Sequence, residues 1–426
     1  MPCRVAVVGA GAAGMMAAGY AGYYGCDVML FEKNARTGRK ILITGKGRCN
    51  VTNNCDNDTF LANVPTNSRF LYSAINSFST QDTISFFESR GLPLKTERGN
   101  RVFPVSDKAS DVADTLLRFV RESGCRLIND EVHLLIIDNN RVCGIETVSG
   151  EKIYSDKVII ATGGKSYPTT GSTGAGYRLA KQAGHTIVPP KPSLVPVVSD
   201  DLFCKELQGL SLRNISLKVI SEKDQKVIYS DFGEMLFTHF GVSGPVILSA
   251  SAYLTNKKLS DYYFSIDLKP ALSEKQLDLR ILRDFEFFIN KDIQNSLGKL
   301  LPSKLIPVVI KRAEIPIHTK CNSITKEQRH RLLEILKNFT VSISGFRPIE
   351  EAIITSGGVS TKEINPKTME SKICSGLYFA GEVIDVDAYT GGFNLQIAFS
   401  TGYVAGTSVY IFDNNSETTS KIKSNG

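Results

Sequence analysis

Arg4-Val-Ala-Val-Val-Gly-Ala-Gly-Ala-Ala-Gly14 decides the fold. Its first five residues form a short, apolar, β-branched run that reads as a buried parallel strand. The glycines that follow have distinct duties. Gly9 permits a tight turn, Gly11 lets the backbone approach a pyrophosphate, and Gly14 lets a helix pack closely on the strand, with Ala13 between them in the same turn. Met15 to Tyr24 is small and apolar, suited to a packed helix whose N-terminus offers free N–H groups and positive dipole to phosphates. Asp27-Val-Met-Leu-Phe31 is the next strand, and Glu32 ends it, 18 residues after Gly14 and before Lys33. A carboxylate there accepts bonds from ribose 2′- and 3′-hydroxyls and repels a 2′-phosphate, so FAD or NAD fits better than NADP. A lone glycine fingerprint is weak; strand, glycines, small-residue helix, strand and acid in this order define a dinucleotide site.

The other end of the chain decides between the two cofactors. Lys157-Val-Ile-Ile-Ala161-Thr162-Gly163-Gly164 is a strand running into a glycine turn, and Gly376-Leu-Tyr-Phe-Ala380-Gly381-Glu382 repeats that shape and closes on an acid. The pair resembles the Ala-Thr-Gly and Gly-Asp motifs of glutathione-reductase-like flavoproteins. In that group the later acid binds the ribityl chain. A helix just after it, here opening near Gly391-Gly392-Phe393-Asn394-Leu395-Gln396, points its N-terminus at the flavin pyrimidine, where a positive end stabilises negative charge on the reduced ring.

Longer strings carry a closer resemblance. These are Gly38-Arg-Lys-Ile-Leu-Ile-Thr-Gly-Lys-Gly-Arg-Cys-Asn50 with Thr52-Asn53, Arg101-Val-Phe-Pro-Val-Ser-Asp-Lys108, Gly164-Lys-Ser-Tyr-Pro168 with Thr170-Gly-Ser-Thr-Gly174, Phe237-Thr-His-Phe-Gly-Val-Ser-Gly-Pro245, Thr355-Ser-Gly-Gly-Val359, Thr368-Met-Glu-Ser-Lys372 and Gly381-Glu-Val-Ile-Asp-Val-Asp387. In this order they resemble the BaiN/RdsA-type (YhiN-like) flavoproteins along nearly the whole chain. Ala175 stands where an acid is usual, and Val242 where Leu is usual. Motifs and resemblance together nominate an FAD site of Gly9, Gly11, Ala13, Gly14, Glu32, Lys33, Arg39, Lys40, Gly45, Arg48, Cys49, Asn50, Val132, Thr162, Gly163, Gly381, Glu382, Asp385, Gly392, Asn394, Leu395 and Gln396.

The expected fold class is α/β: a Rossmann-like FAD-binding domain formed from both chain ends, with an inserted β-rich domain and a small helical subdomain. The phosphate turn lies at Gly9 and the closing strand at Leu377–Ala380, so something must be inserted between them. The FAD domain is placed at residues 1–190 and 346–412. Pro189-Pro190-Lys191-Pro192 serves as the exit linker, since consecutive prolines bar helix and central strand. The insert is β-rich over 191–270, with runs such as Ser211–Ile220 and Lys226–Tyr229. It is helical over 271–345, with Ser273 and Ser303 as N-caps. Residues 413–426 are polar and read as a frayed tail.

Composition agrees with this organisation. With 426 residues, 42% hydrophobic and 22% charged, the chain has room for two or three domains and is neither disordered nor fibrous. Nine cysteines without any C-x-x-C pair make neither a disulfide framework nor a zinc cluster, so no metal site is expected and a reducing cytoplasm fits best. Val5 to Cys26 carries no charge after Arg4, apart from which six glycines interrupt it, unlike a signal peptide or membrane anchor. No membrane partner is expected.

The expected reaction is reduction of a conjugated C=C bond: hydride from flavin N5 to the β carbon, proton from a side chain to the α carbon. Gly357-Gly358 lacks the helix and acid of a second dinucleotide fingerprint. NADH or NADPH therefore visits transiently, or a protein supplies the electrons. The resemblance implies two substrates: uridine in large-subunit ribosomal RNA, giving dihydrouridine, or a bile-acid or steroid enone. Between Phe287 and Gly345 ten basic residues face four acidic ones. Lys299, Lys304, Lys311, Arg312, Lys320, Lys326, Arg329 and Arg331 are candidates for phosphate contact or are an ordinary solvated face. The charge favours RNA. A uracil inside folded RNA must be unstacked to react, so an unstructured precursor is the expected form. Candidate proton donors are Cys49, His239, Asp385 and Tyr389; Cys49 follows Lys46-Gly-Arg48, a basic loop that either lowers the thiol's pKa or binds FAD phosphate while Cys49 merely packs. Two rivals remain: an amine or aminoketone oxidase, and a flavin-bound RNA-associated protein without catalysis.

Overall fold

A computed structural model describes residues 2–423; Met1, residues 424–426 and the side chains beyond Tyr410 lie outside the described residues. Part of the expected tail thus falls outside them, while the backbone of the last helix, Phe393–Lys423, is described to its end. The chain divides into two compact units: residues 1–193 with 349–426, and residues 194–348.

The first unit is built on a five-stranded parallel sheet: β1 (Arg4–Val8), β2 (Asp27–Phe31), β3 (Arg126–Ile128), β4 (Lys157–Ile160) and β5 (Leu377–Phe379), in the order β5-β4-β1-β2-β3. Four of its strands are buried along most of their length, and only the edge strand β3 is largely exposed. Register fixes the functional edge. Val8 pairs with Phe31 and with Ile160, Phe31 with Ile128, and Ile160 with Phe379. The residues after these pairs, Gly9, Glu32, Ala161 and Ala380, therefore emerge in one row. β1 sends the chain to β2 on one side while β4 lies on the other, so this row spans the switch point where α/β sheets bind ligands.

Helix α1 (Ala12–Tyr23) is buried almost all round. Its small residues let other elements come unusually near. A Cβ on Gly402 or Gly406 of helix α2 (Phe393–Lys423) would collide with the Ala13 or Ala17 carbonyl, and one on Gly19 would overlap the Phe119 ring of helix Ala109–Glu122. The two chain ends are thus packed backbone against backbone. Pro189-Pro190-Lys191-Pro192 is not a free linker: it lies in strand Ile187–Ser193, antiparallel to Ile354–Val359. The ladder shifts register between Val188 and Lys191, where prolines supply no N–H to it. Gly357 and Gly358 sit in the partner strand, where a Cβ would press on Pro189 and Val383 backbone atoms; they are packing glycines.

In the second unit a seven-stranded sheet includes the long hairpin Ser211–Ser221 and Val227–Thr238 and ends with Phe339–Ser342 and Gly345–Phe346 at opposite edges. Its core joins sheet residues such as Leu217 and Phe264 to Leu277, Ile281, Val309 and Leu332 of helices Glu274–Phe287, Leu305–Arg312 and Lys326–Lys337. Ser273 caps the first helix through a reciprocal box with Gln276. Ser303 caps nothing: helix Leu305–Arg312 starts after Lys304 without a side-chain cap, whereas Thr325 forms a box with Gln328. The first unit's parallel sheet matches the expected α/β class, with antiparallel sheets added; in the second unit the antiparallel sheet and the helices share one core instead of forming separate domains.

Candidate functional site

The row at the carboxyl edge of the parallel sheet shapes a dinucleotide cradle. Gly9 has φ +101°, and its N–H donates to the Phe31 carbonyl at 2.8 Å. A Cβ on Gly9 would sit 2.7 Å from the Ala161 carbonyl oxygen, and one on Gly14 would overlap the Gly9 carbonyl. A Cβ on Gly11 would meet no protein atom within 4 Å. Gly9 and Gly14 are therefore required by packing, and Gly11 keeps its backbone open to a ligand. Ala13 lies against Gly381, whose added Cβ would come within 2.8 Å of the Ala13 methyl.

Glu32 is held in place before any ribose arrives: one carboxylate oxygen accepts from Ala10 N at 3.0 Å, the other from Asn34 N at 2.9 Å. Asn34 also accepts from Arg39 at 2.9 Å. Lys33 reaches Thr173 Oγ1 at 3.0 Å. Thr162 Oγ1, at the end of β4, is buried without a hydrogen-bond partner among the described residues, and so are Asn50 Oδ1 and the Tyr177 hydroxyl. Such orphaned polar atoms are costly unless a ligand satisfies them. Gly163 has φ +72° and its added Cβ would touch Ser172 Oγ at 3.0 Å. The donor set, the open Gly11 backbone and the unmatched Thr162 and Asn50 atoms fit a flavin dinucleotide.

Glu382 lies in a tight polar knot. One oxygen accepts from Lys40 Nζ at 2.6 Å, the other from Thr355 N at 2.8 Å and Ser166 Oγ at 2.9 Å. Lys40 also donates to Ser166 Oγ at 2.7 Å. Nothing in the spacing singled out Asn34, Ser166 or Thr355 for these tasks, although the last two lie inside quoted motif strings.

The loop after Ile43 is left-handed at Gly45 (φ +56°), Lys46 (φ +58°), Gly47 (φ +86°) and Cys49 (φ +59°). Two expectations fail here. Arg48 does not reach for phosphate: it donates to Asp107 at 2.8 Å, pairs with Glu97 and lies over the Phe103 ring. Those acids belong to the hairpin of Leu94–Glu97 and Arg101–Pro104 and its following turn. Cys49 is fully buried, and burial pushes its thiol up to about 12, against a smaller opposing effect of a hydrogen bond with Thr44. With Arg48 committed elsewhere, the expected lowering is absent.

Near α2, Gly392 presses on Thr52, with no room for a Cβ. Asn394 clasps the preceding loop, accepting from Ala388 N at 2.9 Å and donating to Ala388 O at 2.8 Å. Gln396 has no exposure: its oxygen accepts from Thr52 and its nitrogen donates to Phe78 O, Ser79 O and Ser400. Its backbone N–H bonds Gly392 O at 3.1 Å, so its group contacts are structural and not available to a cofactor. Leu395 is partly buried against the core, and Val132 is 3% exposed at a strand start, paired with Thr147.

Asp385 is buried; Asn67 Nδ2 donates to its carbonyl at 2.7 Å and its carboxylate at 3.0 Å. Burial raises its pKa, opposed by the Asn67 bond and reinforced by the nearby Asp387 charge. Asp387, which sequence reasoning missed as a titrating group, is deeper still: Ser193 donates to one carboxylate oxygen at 2.8 Å, the other has no hydrogen-bond partner among the described residues, and burial raises its pKa too. Tyr389 N donates to Asn63 O at 3.0 Å. His239 belongs to the second unit, exposed on the turn between Val227–Thr238 and Gly241–Ser243 with its ring edge-on to Phe240. The second unit's basic residues are largely engaged within it. Arg312 donates to Thr340 O, Arg329 pairs with Asp278, Lys320 with Asp292, and Arg331 and Lys304 bond the Ala313 and Gln208 carbonyls. Lys299, Lys311 and Lys326 make no side-chain hydrogen bond among the described residues.

A parallel sheet with its glycine turn, ribose acid and second acid at one edge is the framework of an FAD-binding Rossmann-type oxidoreductase. The profile of the HI0933-like protein Rossmann domain matches residues 3–408, and the chain belongs to that family. It is 31% identical over 413 residues to the 3-dehydro-bile acid delta(4,6)-reductase of Clostridium scindens, covering 95% of this chain and 98% of the relative. It is equally 31% identical over 408 residues to the ribosomal RNA dihydrouridine synthase of Haemophilus influenzae, covering 95% and 97%. The fold is that of 3-ketosteroid-delta4-(5alpha)-dehydrogenase from Rhodococcus jostii RHA1, with a TM-score of 0.53 at 14% identity over 96% of this chain and 97% of that one. The protein is a flavin-dependent oxidoreductase. No helix among the described residues is long and apolar enough to cross a membrane.

Proposed function

We propose that this oxidoreductase saturates a conjugated C=C bond, and that its substrate is a uridine of large-subunit ribosomal RNA, which becomes dihydrouridine. FAD, when bound, would supply the hydride, and a transiently visiting NADH or NADPH would supply its electrons. Glu32, the Gly9–Gly14 turn, Thr162 and Asn50 hold the cofactor. Asp385 supplies the proton: burial keeps its carboxyl protonated to higher pH than an exposed one, and Asn67 fixes its direction.

The choice of RNA is carried by one surface. At the end of helix Glu274–Phe287, Phe287 is 71% exposed with Lys299 Nζ 4.7 Å from its ring centre; Phe288 beside it has Lys291 at 5.1 Å. An exposed ring flanked by ammonium groups stacks bases and neutralises phosphates, which a steroid does not require. Relatives named ribosomal RNA dihydrouridine synthase support the same reading, and a ribosomal RNA precursor as substrate goes with a cytoplasmic reaction.

The test uses ribosomal RNA from cells lacking the gene, incubated with protein, FAD and NADH or NADPH. A uridine made heavier by two hydrogens supports the proposal, and Asp385→Asn should keep bound flavin while losing that product. Unchanged RNA together with reduction of a bile-acid enone would transfer the activity to small molecules. Oxygen uptake with an amine and no nicotinamide would make it an oxidase, and RNA binding with no redox turnover would leave a binding protein.

A further inference from the structure

We propose that a surface depression in the first unit is a nucleotide subsite, taking a planar base together with its phosphate. The depression is open to solvent, encloses about 550 Å³ and is lined by Leu61, Ala62, Ser68, Arg69 and Tyr72. Ser68–Leu71 is a 3₁₀ turn that runs directly into helix Tyr72–Ser77. Residues three apart eclipse in such a turn, which sets Arg69 and Tyr72 on one face. Tyr72 is 62% exposed, and Leu61 and Ala62 provide an apolar surface near its ring. Arg69 has no carboxylate within ion-pairing distance among the described residues, unlike Arg48, Arg126, Arg280 and Arg329. An exposed phenol ring stacks on a base, and an unpaired guanidinium takes a phosphate in a bidentate grip. A neutral apolar ligand would leave that guanidinium without a partner.

The same segment holds the acid loop on its other side. Asn67 bonds Asp385, Thr66 pairs with Asp387 in an isolated bridge, and Asn63 accepts from Tyr389. A ligand gripped by Ser68–Tyr72 is therefore linked through Thr66 and Asn67 to the loop carrying the proposed proton donor. Two sources offer this chemistry: a nucleotide of the RNA flanking the reacting base, or the nicotinamide dinucleotide that delivers electrons. The inference does not depend on the RNA reading, because either source satisfies it.

The experiment compares the flavin-loaded protein with Arg69→Ala, Tyr72→Ala and the charge-keeping Arg69→Lys. One arm follows anaerobic flavin reduction against NADH and NADPH concentration. The other follows fluorescence anisotropy of a short single-stranded ribosomal RNA segment. The expected result is about tenfold weaker binding in one arm for both alanine variants, the loss of roughly one charge-assisted contact in Arg69→Ala and of one base stack in Tyr72→Ala, with Arg69→Lys partly restored and flavin content unchanged. Weakening in the first arm names the dinucleotide, and in the second the RNA. Alanine variants that bind both nucleotide sources as tightly as the unaltered protein would overturn the subsite. Unaltered protein that responds to nicotinamide dinucleotide but binds no RNA would count against the RNA substrate alone.

Discussion

Lys40 Nζ donates to Glu382 Oε2 at 2.6 Å, tying the short helix Arg39–Ile43 to the turn after β5 across 342 residues of sequence. Both side chains are more than three-quarters shielded, so neither charge is well solvated if the other is removed. The ion pair also orients Glu382 for Thr355 N and Ser166 Oγ, which brings three separate motif strings to one carboxylate.

Replacing either partner should therefore cost more than an exposed pair does. Lys40→Met or Glu382→Gln is expected to lower stability by about 1–3 kcal/mol and to loosen bound flavin. The double variant should lose clearly less than the two single losses together, because the penalty in each single variant is largely the stranded partner. Denaturant unfolding of the three variants reads this out, and strictly additive losses would remove the coupling.

Four strands of the parallel sheet and their loaded edge were legible because each is a short, largely apolar run leading into a glycine turn or an acid, a pattern with few other meanings; the fifth, Arg126–Ile128, is only three residues long and gave no such signal. Long-range side-chain partners were not. Arg48 looked like a phosphate ligand because nothing local to Lys46-Gly-Arg48 reveals Glu97 and Asp107, which arrive on a distant hairpin. Gln396 looked like a flavin contact at a helix start, yet its amide locks Thr52 to Phe78 and Ser79. Asn67, which orients Asp385, belongs to no motif. The prolines at 189, 190 and 192 read as a linker because they exclude a central strand, but an irregular two-stranded ladder accommodates them.

Gly11 and Gly14 give a sharper separation of folding from binding. Gly14→Ala drives a methyl into the Gly9 carbonyl and should destabilise the unit whether or not flavin is present. Gly11→Ala meets no protein atom within 4 Å, so the protein without flavin should melt as the unaltered one does while flavin affinity falls at least about tenfold. Thermal unfolding before and after flavin loading distinguishes the two. Equal flavin retention in Gly11→Ala would place the pyrophosphate elsewhere.

Cys49 is expected to be dispensable for proton transfer. A thiol raised to about 12 by burial is a weak acid near neutrality and is shielded from reagents. Cys49→Ala should keep its flavin and its turnover, with at most about 1–2 kcal/mol of lost packing. Iodoacetamide should leave Cys49 unlabelled in the folded protein; loss of product formation in a well-folded Cys49→Ala protein would restore the thiol to the mechanism.

Asp387 makes a pH prediction whose sign follows from its surroundings. Burial comes first among the influences on its carboxyl and raises the pKa, while bonds from Thr66, Ser193 and Ser356 pull it down and the Glu382 charge pushes it up again. With the folded pKa above the unfolded one, the folded state holds the extra proton. Stability is therefore greatest below the ordinary carboxylate range and declines as pH rises from the unfolded pKa towards the folded one, then levels off. Asp385, raised in the same direction, adds to the decline. Asp387→Asn cannot ionise and can still accept from Ser193, so its stability should vary less with pH and should exceed that of the unaltered protein at neutral pH. Melting temperatures across mildly acid to neutral pH measure both slopes. A steeper loss in the variant, or a variant less stable at neutral pH with its flavin retained, would mean that the carboxylate is charged and needed where it lies.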